Sequence, residues 1–264
     1  HGRAVDLRRL RRRADLLPDA GALGVRMLGA NGKPAPESRR GLPSPMVAFY
    51  KMMGLCSRFP QHRSFGHYYM GYLPWDKPAK IEVVSGAFCM IRREALLKVG
   101  LLDEDFFMYG EDIDLSYRIL KGGYQNYYLP VDILHYKGES TQKSSFRYVH
   151  VFYEAMLIFF RKHYSGMSHL LSIPIKFAIY ARASVAFTQM MTAKIRKSLG
   201  FFSPSHVDLS NQVLFDADEM SYEEMLHQLA QRSDENIKLA TYTKVIGKVI
   251  TDREVMDKDE FGYL

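Results

Sequence analysis

The chain has 264 residues, a formal net charge of +7 and two cysteines, Cys56 and Cys89. At roughly 150 residues per domain, this length allows one large domain or one domain with appendages. The cysteines lack the C-x-x-C spacing of zinc or redox sites, and the length excludes a small disulfide-stapled scaffold. No N-terminal stretch has the order of a signal peptide, so a reducing cytoplasm is the expected compartment.

Most of the positive charge lies at the amino terminus. Residues 1–13 hold six arginines against one aspartate, a local net charge of +5, which leaves +2 for the other residues. A basic arm can bind phosphate backbones, but no zinc-finger spacing, RNP-type aromatic run or leucine-zipper heptad follows it. The pattern favours a solvated helix face over a nucleic-acid site, and residues 1–18 form a basic N-terminal segment of uncertain origin.

Hydrophobic periodicity and turn residues predict alternating strands and helices. The apolar run 22–28 ends at Gly29 and predicts a buried strand, and the aromatic, glycine-rich run 65–75 predicts a loop that lines a binding surface. Residues 81–92 predict one strand with Gly86 inside it, where another backbone or a ligand approaches closely. This alternation indicates an α/β layer rather than a helix bundle or a β-sandwich. The other predicted elements are helices at 46–55, 93–99 and 145–163 and a strand at 124–129.

Residues 110–121 predict a helix with an acidic start. Glu111, Asp112 and Asp114 crowd its first turn, and basic residues occupy its last turn. Carboxylates at a helix start are ordinary dipole partners, so their position alone assigns them no chemical role. Asp114 and Arg118 are expected to stabilise the helix through its termini and through side-chain pairs spaced by four residues.

Residues 166–202 predict a segment that associates with a membrane. The run 170–191 is apolar and close to the ~20 residues that span a bilayer, yet it contains Lys176 and Arg182, which are costly inside one. An amphipathic helix in the membrane interface, followed by basic residues at 194–197, is therefore preferred. A helix packed on the protein's own domain or on a partner chain is the alternative.

Residues 203–264 differ in composition and predict a small α/β tail of unknown role. Strands are predicted at 212–215 and 237–243, with a helix at 221–232 between them. That helix opens on Ser221-Tyr222-Glu223-Glu224, which is a capping-box pattern. The tail is treated as a separate piece of the chain.

Three stretches of the sequence carry a family resemblance: residues 83–94 (VVSGAFCMIRRE), 99–118 (VGLLDEDFFMYGEDIDLSYR) and 134–141 (LHYKGEST). In order, spacing and residue types they closely resemble the second half of family 2 glycosyltransferases of the GT-A fold. The likeness covers roughly residues 19–165 and is strongest to bacterial enzymes that add rhamnose or similar sugars to surface polysaccharides. It implies a partial GT-A domain, Rossmann-like with a mixed sheet, over 19–165.

The resemblance also implies roles for five residues. Asp112 matches the general base, Glu111 the acidic neighbour that helps hold the acceptor, and Gly86 and Ala87 the turn whose backbone lines the site. His135 matches a ligand of a divalent metal, Mg or Mn. These residue types suit sugar transfer, which needs a base for the acceptor hydroxyl and positive charge for the leaving diphosphate.

The reaction implied is inverting transfer of a hexose or deoxyhexose in cell-surface polysaccharide synthesis. The donor is a nucleotide sugar, and the acceptor is a saccharide or a lipid-linked molecule. The expected location is the cytoplasmic face of the inner membrane, where the chain is peripheral and binds the membrane surface. No nucleic-acid partner is expected.

The sequence departs from the family before residue 19. Family members begin with nucleotide-binding strands and an Asp-x-Asp motif, for which this chain has no counterpart, so it is expected to be a truncated form. Two further functions stay open: a non-catalytic remnant that binds the acceptor, and a membrane-peripheral assembly protein. The Asp-x-Asp runs at 103–105, 112–114, 216–218 and 257–259 are interpreted as chance matches.

Overall fold

The computed structural model describes residues 7–135, 146–164, 184, 188, 191–192, 211–232, 235, 237–251 and 255–262. The chain divides into two compact units. The first unit comprises residues 1–101, 115–139 and 209–264, and the second comprises 102–114 and 140–208. The predicted membrane-associating segment at 166–202 lies almost entirely outside the described residues.

The first unit is built on a four-stranded mixed sheet. Its strands, in the spatial order β2-β4-β1-β3, are β1 (Ala20–Leu28), β2 (Ala79–Ile81), β3 (Met90–Ile91) and β4 (Gln125–Leu134). The two central strands are parallel, and each outer strand is antiparallel to its neighbour. The predicted α/β fold with a mixed sheet is therefore confirmed.

The strand β1 is buried along almost its whole length, because apolar side chains cover both of its faces. On one face, Leu23 and Val25 pack with Leu10 from the N-terminal helix α1 (Leu7–Asp15). On the other face, Ala22 packs with Val84, and a Cβ on Gly24 would lie 3.1 Å from Val84. The sheet thus forms the middle layer of the first unit.

The basic N-terminal segment is partly explained by α1. Leu10 is buried in the core, whereas Arg11 and Arg12 are exposed. The expected solvated helix face is confirmed for these two arginines. The other helices up to residue 121 are α2 (Pro45–Met52), α3 (Leu55–Arg58), α4 (Arg93–Val99) and α5 (Glu111–Lys121).

The single strand predicted at 81–92 is wrong, because the structure has two short strands there. After β2 the chain passes Val84, whose N–H donates to Ser116 Oγ at 3.1 Å. It then turns at Ser85, whose carbonyl accepts from Phe88 N at 3.2 Å, before β3 begins. The apolar run resembles one strand because both sides of the turn are apolar, with Val84 and Phe88 packed in different parts of the core.

Two other predicted elements have different bounds. The helix predicted at 46–55 is divided into α2 and α3 by Gly54, which has a φ of 73°. The strand predicted at 124–129 continues through Pro130, because a register shift after Leu129 leaves Pro130 and Val131 outside the regular pairing with β1. Proline is tolerated in a central strand only at such an irregularity.

The second unit contains the long helix α6 (Phe146–His163) and the loop at 102–110 that leads to the first turn of α5. Phe159 and Phe160 are buried in this unit. Lys162 Nζ lies 2.5 Å from carboxylate oxygens of both Asp103 and Asp105, which ties the loop to the end of α6. Among the residues described, no helix is both long and apolar enough to cross a membrane.

The C-terminal tail forms a second four-stranded sheet within the first unit. Its strands, in the order β5-β6-β7-β8, are β5 (Gln212–Asp216), β6 (Lys238–Thr243), β7 (Lys248–Ile250) and β8 (Val255–Asp257). Two helices, α7 (Tyr222–Gln231) and α8 (Lys258–Gly262), accompany them. Leu134 N donates to Tyr222 Oη at 2.6 Å and Leu239 N donates to Ala30 O at 2.7 Å, so the tail packs at the ends of β1 and β4.

Candidate active site

An unusual backbone turn precedes α5. Tyr109 has a φ of 67° and Gly110 a φ of 89°, so two consecutive residues adopt the left-handed region. Only glycine adopts this region freely, and strain of ~1–3 kcal/mol at a bulky residue is characteristic of functional sites. A Cβ on Gly110 would also lie 2.9 Å from the Phe106 ring and 3.2 Å from Ala155. The turn therefore fixes the backbone conformation directly before Glu111, the first residue of α5.

The side chain of Asp114, in the first turn of α5, makes a structural contact with α6. It is fully buried, and its Oδ1 lies 2.6 Å from His163 Nε2 in the last turn of α6. Arg118 has its own structural role, since its guanidinium donates to the carbonyl oxygens of Val99 and Leu101 at 2.7 and 2.8 Å. Both residues thus have partners that helix spacing alone does not predict.

Asp112 and Glu111 differ from Asp114 in their exposure. Both are partly exposed at the start of α5, whereas Asp114 is shielded from solvent. A general base needs access to the hydroxyl that it deprotonates. Of the two aspartates in this turn, Asp112 is therefore the accessible one.

A shallow groove of about 120 Å³ lies in the same unit. The loop residues before α5 form one wall, where Phe107 is 86% exposed. One side of α6 forms the other wall. The charged lining groups are Asp105 on the loop and Glu154 on α6. Its apolar lining consists of Phe106, Phe107, Met108, Val151, Ala155 and Ile158.

Gly86 and Ala87 lie at the exposed tip of the turn between β2 and β3. Ser85 organises this turn, because its Oγ lies 3.4 Å from Ala87 N and its carbonyl accepts from Phe88 N. The buried Val84 holds the start of the turn. The predicted pair thus presents an accessible backbone, as a residue that lines a binding site must.

His135 follows directly after β4, and its N–H donates to Leu28 O at 2.8 Å. Burial lowers the pKa of His135, so its imidazole is neutral at pH 7 and in the form that binds metals. The part of the chain that the structure describes contains no group of three His, Cys, Asp or Glu side chains able to hold a metal. These residues alone therefore do not make up a metal site.

Sheet topology relates His135 to the Gly86-Ala87 turn. Because β1 and β4 are parallel, Leu28 and His135 lie at the carboxyl edge of the sheet. β3 runs antiparallel to β1 from Met90, so the turn that precedes it lies toward that same edge. Ligands of α/β sheets bind at the carboxyl ends of parallel strands. Gly86, Ala87 and His135 all belong to the first unit, whereas Glu111 and Asp112 belong to the second.

A hydrogen-bonded cluster that the sequence does not reveal holds the aromatic loop, residues 59–76. His67 Nε2 lies 3.0 Å from Glu82 Oε2, and His67 Nδ1 lies 3.0 Å from Tyr72 Oη. The bond to Glu82 raises the pKa of His67; burial opposes ionisation of Glu82, but the bonds from His67 and Leu42 N outweigh it and lower the pKa of Glu82. His67 and Glu82 are 15 positions apart in no known motif, so no sequence signal indicates the pair.

A buried arginine also anchors the aromatic loop. Arg39 is only 2% exposed; its guanidinium lies 3.5 Å from the centroid of the Trp75 ring and donates to Leu73 O. Tyr128 Oη, from the middle of β4, donates to Trp75 O at 2.8 Å. The loop predicted to line a binding surface is thus firmly attached to the sheet.

Comparison with known proteins gives consistent matches. Two curated relatives, N-acetylglucosaminyl-diphospho-decaprenol L-rhamnosyltransferases of Mycobacterium tuberculosis strains CDC 1551 / Oshkosh and ATCC 25618 / H37Rv, are each 26% identical over 189 residues. The alignment covers 69% of this chain and 57% of each relative, so the chain spans a little over half of their length. No solved structure shows a significant match.

The family assignment rests on a match to a family profile. The sequence profile described as glycosyl transferase family group 2 matches residues 60–222, which is more than half of the chain. The matched region includes the Gly86-Ala87 turn, the acidic start of α5 and His135. The chain therefore belongs to glycosyl transferase family group 2.

Proposed function

We infer that the chain provides the acceptor-side part of an inverting glycosyltransferase. The reaction is transfer of a hexose or deoxyhexose from a nucleotide sugar to a saccharide or lipid-linked acceptor in cell-surface polysaccharide synthesis. One observation carries the inference: in a member of this family, a strained turn at Tyr109 and Gly110 presents Asp112 at an accessible helix start. The names of the mycobacterial relatives support L-rhamnose as the sugar and a polyprenyl-diphosphate saccharide as the acceptor.

In this mechanism Asp112 is the general base. Its carboxylate takes the proton of an acceptor hydroxyl while that oxygen forms a bond to the anomeric carbon of the donor sugar. The bond between the anomeric carbon and the nucleotide diphosphate breaks, and the diphosphate leaves with the electron pair from the opposite face. The configuration at the anomeric carbon is thereby inverted.

Glu111, next to Asp112 in the chain, accepts hydrogen bonds from acceptor hydroxyls and so orients the acceptor. In the first unit, the exposed backbone at Gly86 and Ala87 is the turn that the family resemblance assigns to ligand binding. The apolar groove beside Phe106 and Phe107 provides a surface for the lipid part of a lipid-linked acceptor. The proposed location is accordingly the cytoplasmic face of the membrane that carries such acceptors.

A divalent metal, Mg or Mn, belongs to the same proposal. His135 is its candidate ligand, supported by an imidazole that burial keeps neutral at pH 7. A bound divalent cation would stabilise the negative charge of the leaving diphosphate. No proton or bond in the mechanism above is assigned to it, because the described side chains do not complete a ligand set.

The test is a transfer assay with product analysis, performed on the natural protein that carries this sequence. Nucleotide-linked L-rhamnose and other nucleotide-linked hexoses are offered with a polyprenyl-diphosphate N-acetylglucosamine acceptor. We expect transfer, and NMR of the product should show the anomeric configuration opposite to that of the donor. A retained configuration would contradict the inverting mechanism. Acceptor binding without any transfer would indicate the acceptor-binding module instead.

A further inference from the structure

α2 and the end of α3 leave four large apolar side chains in solvent. Met46, Phe49, Met53 and Phe59 are 57%, 45%, 60% and 45% exposed. The first three follow a spacing of three and four residues, which places them along one side of α2. These four side chains form the α2 face.

A series of ring contacts joins the two ends of the α2 face. Ring centroids are 6.1 Å apart for Phe49 and Tyr50, 4.9 Å for Tyr50 and Phe65, and 5.9 Å for Phe65 and Phe59. Phe49 and Phe59 are therefore linked through the rings of Tyr50 and Phe65. A contiguous apolar patch of this kind marks an interaction surface, whereas scattered exposed side chains need no explanation.

The segment that contains the α2 face carries a positive net charge. Between Glu37 and Asp76 the sequence contains no aspartate or glutamate. Arg58 and Arg63 are exposed, and the Arg58 guanidinium lies 6.0 Å from the centroid of the Phe59 ring. The cationic residues of the segment are Arg39, Arg40, Lys51, Arg58 and Arg63. Apolar side chains bordered by cations complement the surface of an anionic bilayer, where the former insert and the latter meet lipid phosphates.

We propose that the α2 face inserts into the headgroup region of an anionic membrane, with Arg58 and Arg63 at the lipid phosphates. A saccharide is a poorer occupant, because hydroxyl-rich ligands need hydrogen-bonding partners and the four side chains of the α2 face carry no nitrogen or oxygen atom. The proposal goes beyond the proposed function, since vesicle binding requires neither donor nor acceptor. It also concerns residues distinct from the segment predicted to bind membranes at 166–202.

Co-sedimentation with vesicles of phosphatidylcholine containing about one third phosphatidylglycerol tests the proposal. In the full chain, Met46→Ser/Phe49→Ser/Met53→Ser should lower the partition coefficient ~100-fold, taking about fivefold for each apolar side chain lost. Arg58→Gln/Arg63→Gln should lower it ~20-fold and weaken its dependence on salt. These side chains are at the surface, so circular dichroism should show unchanged folding.

A matched control is available on the turn between β6 and β7. Val245 and Ile246 are 87% and 51% exposed, so Val245→Ser/Ile246→Ser removes apolar surface elsewhere and should leave vesicle binding unchanged. An environment-sensitive dye at Met53→Cys, in a Cys89→Ser background, should shift to the blue on adding vesicles. The same dye at Val245→Cys should not shift.

Several results would overturn the proposal. Parental vesicle binding by the triple variant would place membrane contact elsewhere in the chain, for example at 166–202. A parent that is dimeric and becomes monomeric on substitution of the α2 face, without binding vesicles, would show that a second copy covers it. Tighter binding to a single-stranded oligonucleotide than to vesicles would assign the arginines to nucleic acid.

Discussion

Two irregular segments of the molecule, the aromatic loop at 59–76 and the loop at 102–110 before α5, are held in different ways. The aromatic loop is attached by buried polar groups, notably Arg39 against Trp75 and the bond between His67 and Glu82. The loop at 102–110 is tied to α6 by ion pairs of Lys162 with two partly exposed aspartates, and its Phe106 side chain is buried.

This difference suggests that the aromatic loop has a structural role and that the loop at 102–110 positions the proposed base. Buried polar contacts are costly to remove, so the aromatic loop acts as a fixed part of the first unit. The other loop concentrates its strain at one place, the turn at Tyr109 and Gly110, directly before the accessible Asp112. Changes in the aromatic loop should therefore reduce stability, and changes at the turn should reduce both stability and transfer.

The largest effect on stability is expected from Arg39→Ala. Removing this buried side chain leaves a cavity beneath Trp75, and it also removes the hydrogen-bond donor to Leu73 O. Together these losses should lower the free energy of unfolding by about 3 kcal/mol. Arg39→Met preserves most of the volume and should lose less. Urea denaturation measures both, with the exposed Arg11→Ala as control. A loss below about 0.5 kcal/mol for Arg39→Ala would show that the loop does not depend on this anchor.

An intermediate effect is expected from Gly110→Ala. A left-handed φ and a Cβ only 2.9 Å from the Phe106 ring should together cost about 2 kcal/mol, and transfer should fall because Asp112 is displaced. Gly123→Ala is the matched control, since Gly123 has a φ of 88° and an added methyl group there would meet no atom within 4 Å. It should cost about 1 kcal/mol and leave transfer per folded molecule unchanged. Equal losses in the two variants would show that the contact with Phe106 is unimportant.

The smallest effect concerns pH. The pKa of His67 is raised above 6.5 in the folded protein. Its contribution to the free energy of unfolding is therefore complete below pH 6.5 and is lost as the pH rises through the folded-state pKa. The pKa of Glu82 is lowered from 4.5 in the folded protein. Its contribution to the free energy of unfolding is therefore complete above pH 4.5 and is lost as the pH falls through the folded-state pKa. The difference in unfolding free energy between the parent and His67→Gln should therefore peak near pH 5.5.

Solvent screening keeps this pH effect small. The side chains of His67 and Glu82 are 26% and 34% exposed, so a maximum of about 0.5 kcal/mol is expected. Chemical denaturation at a series of pH values measures it, and Lys80→Gln, which removes an exposed ion pair with Asp19, serves as control. A difference that is constant with pH would mean that the pair is not charged in the folded protein.

Local patterns predicted much of the fold. The strand at 20–28 and the helix at 111–121 follow from an apolar run ending at glycine and from an acidic start with a basic end. The division of 81–92 was missed because both sides of its turn are apolar. The extension of β4 through Pro130 was missed because a register shift depends on the neighbouring strand.

Long-range contacts account for what the sequence does not disclose about the candidate site. The family resemblance indicated Asp112, but the burial of Asp114 against His163, 49 residues away, is what distinguishes the two aspartates. The same holds for His67 and Glu82, whose pairing depends on how the aromatic loop folds over the sheet. The hairpin of β7 and β8 in the tail was not predicted either, since its strands are only three residues long.

The most direct test of the central claim is the rate of sugar transfer by Asp112→Asn in the natural protein that carries this sequence. The substitution preserves the shape of the side chain and removes the basic oxygen, so we expect turnover to fall at least ~100-fold while the thermal midpoint stays close to that of the parent. Asp114→Asn should show the opposite balance, a lower thermal midpoint with a smaller loss of turnover per folded molecule, because its carboxylate supports α6 through His163. Near-parental turnover by Asp112→Asn would contradict the assignment of this residue as the base.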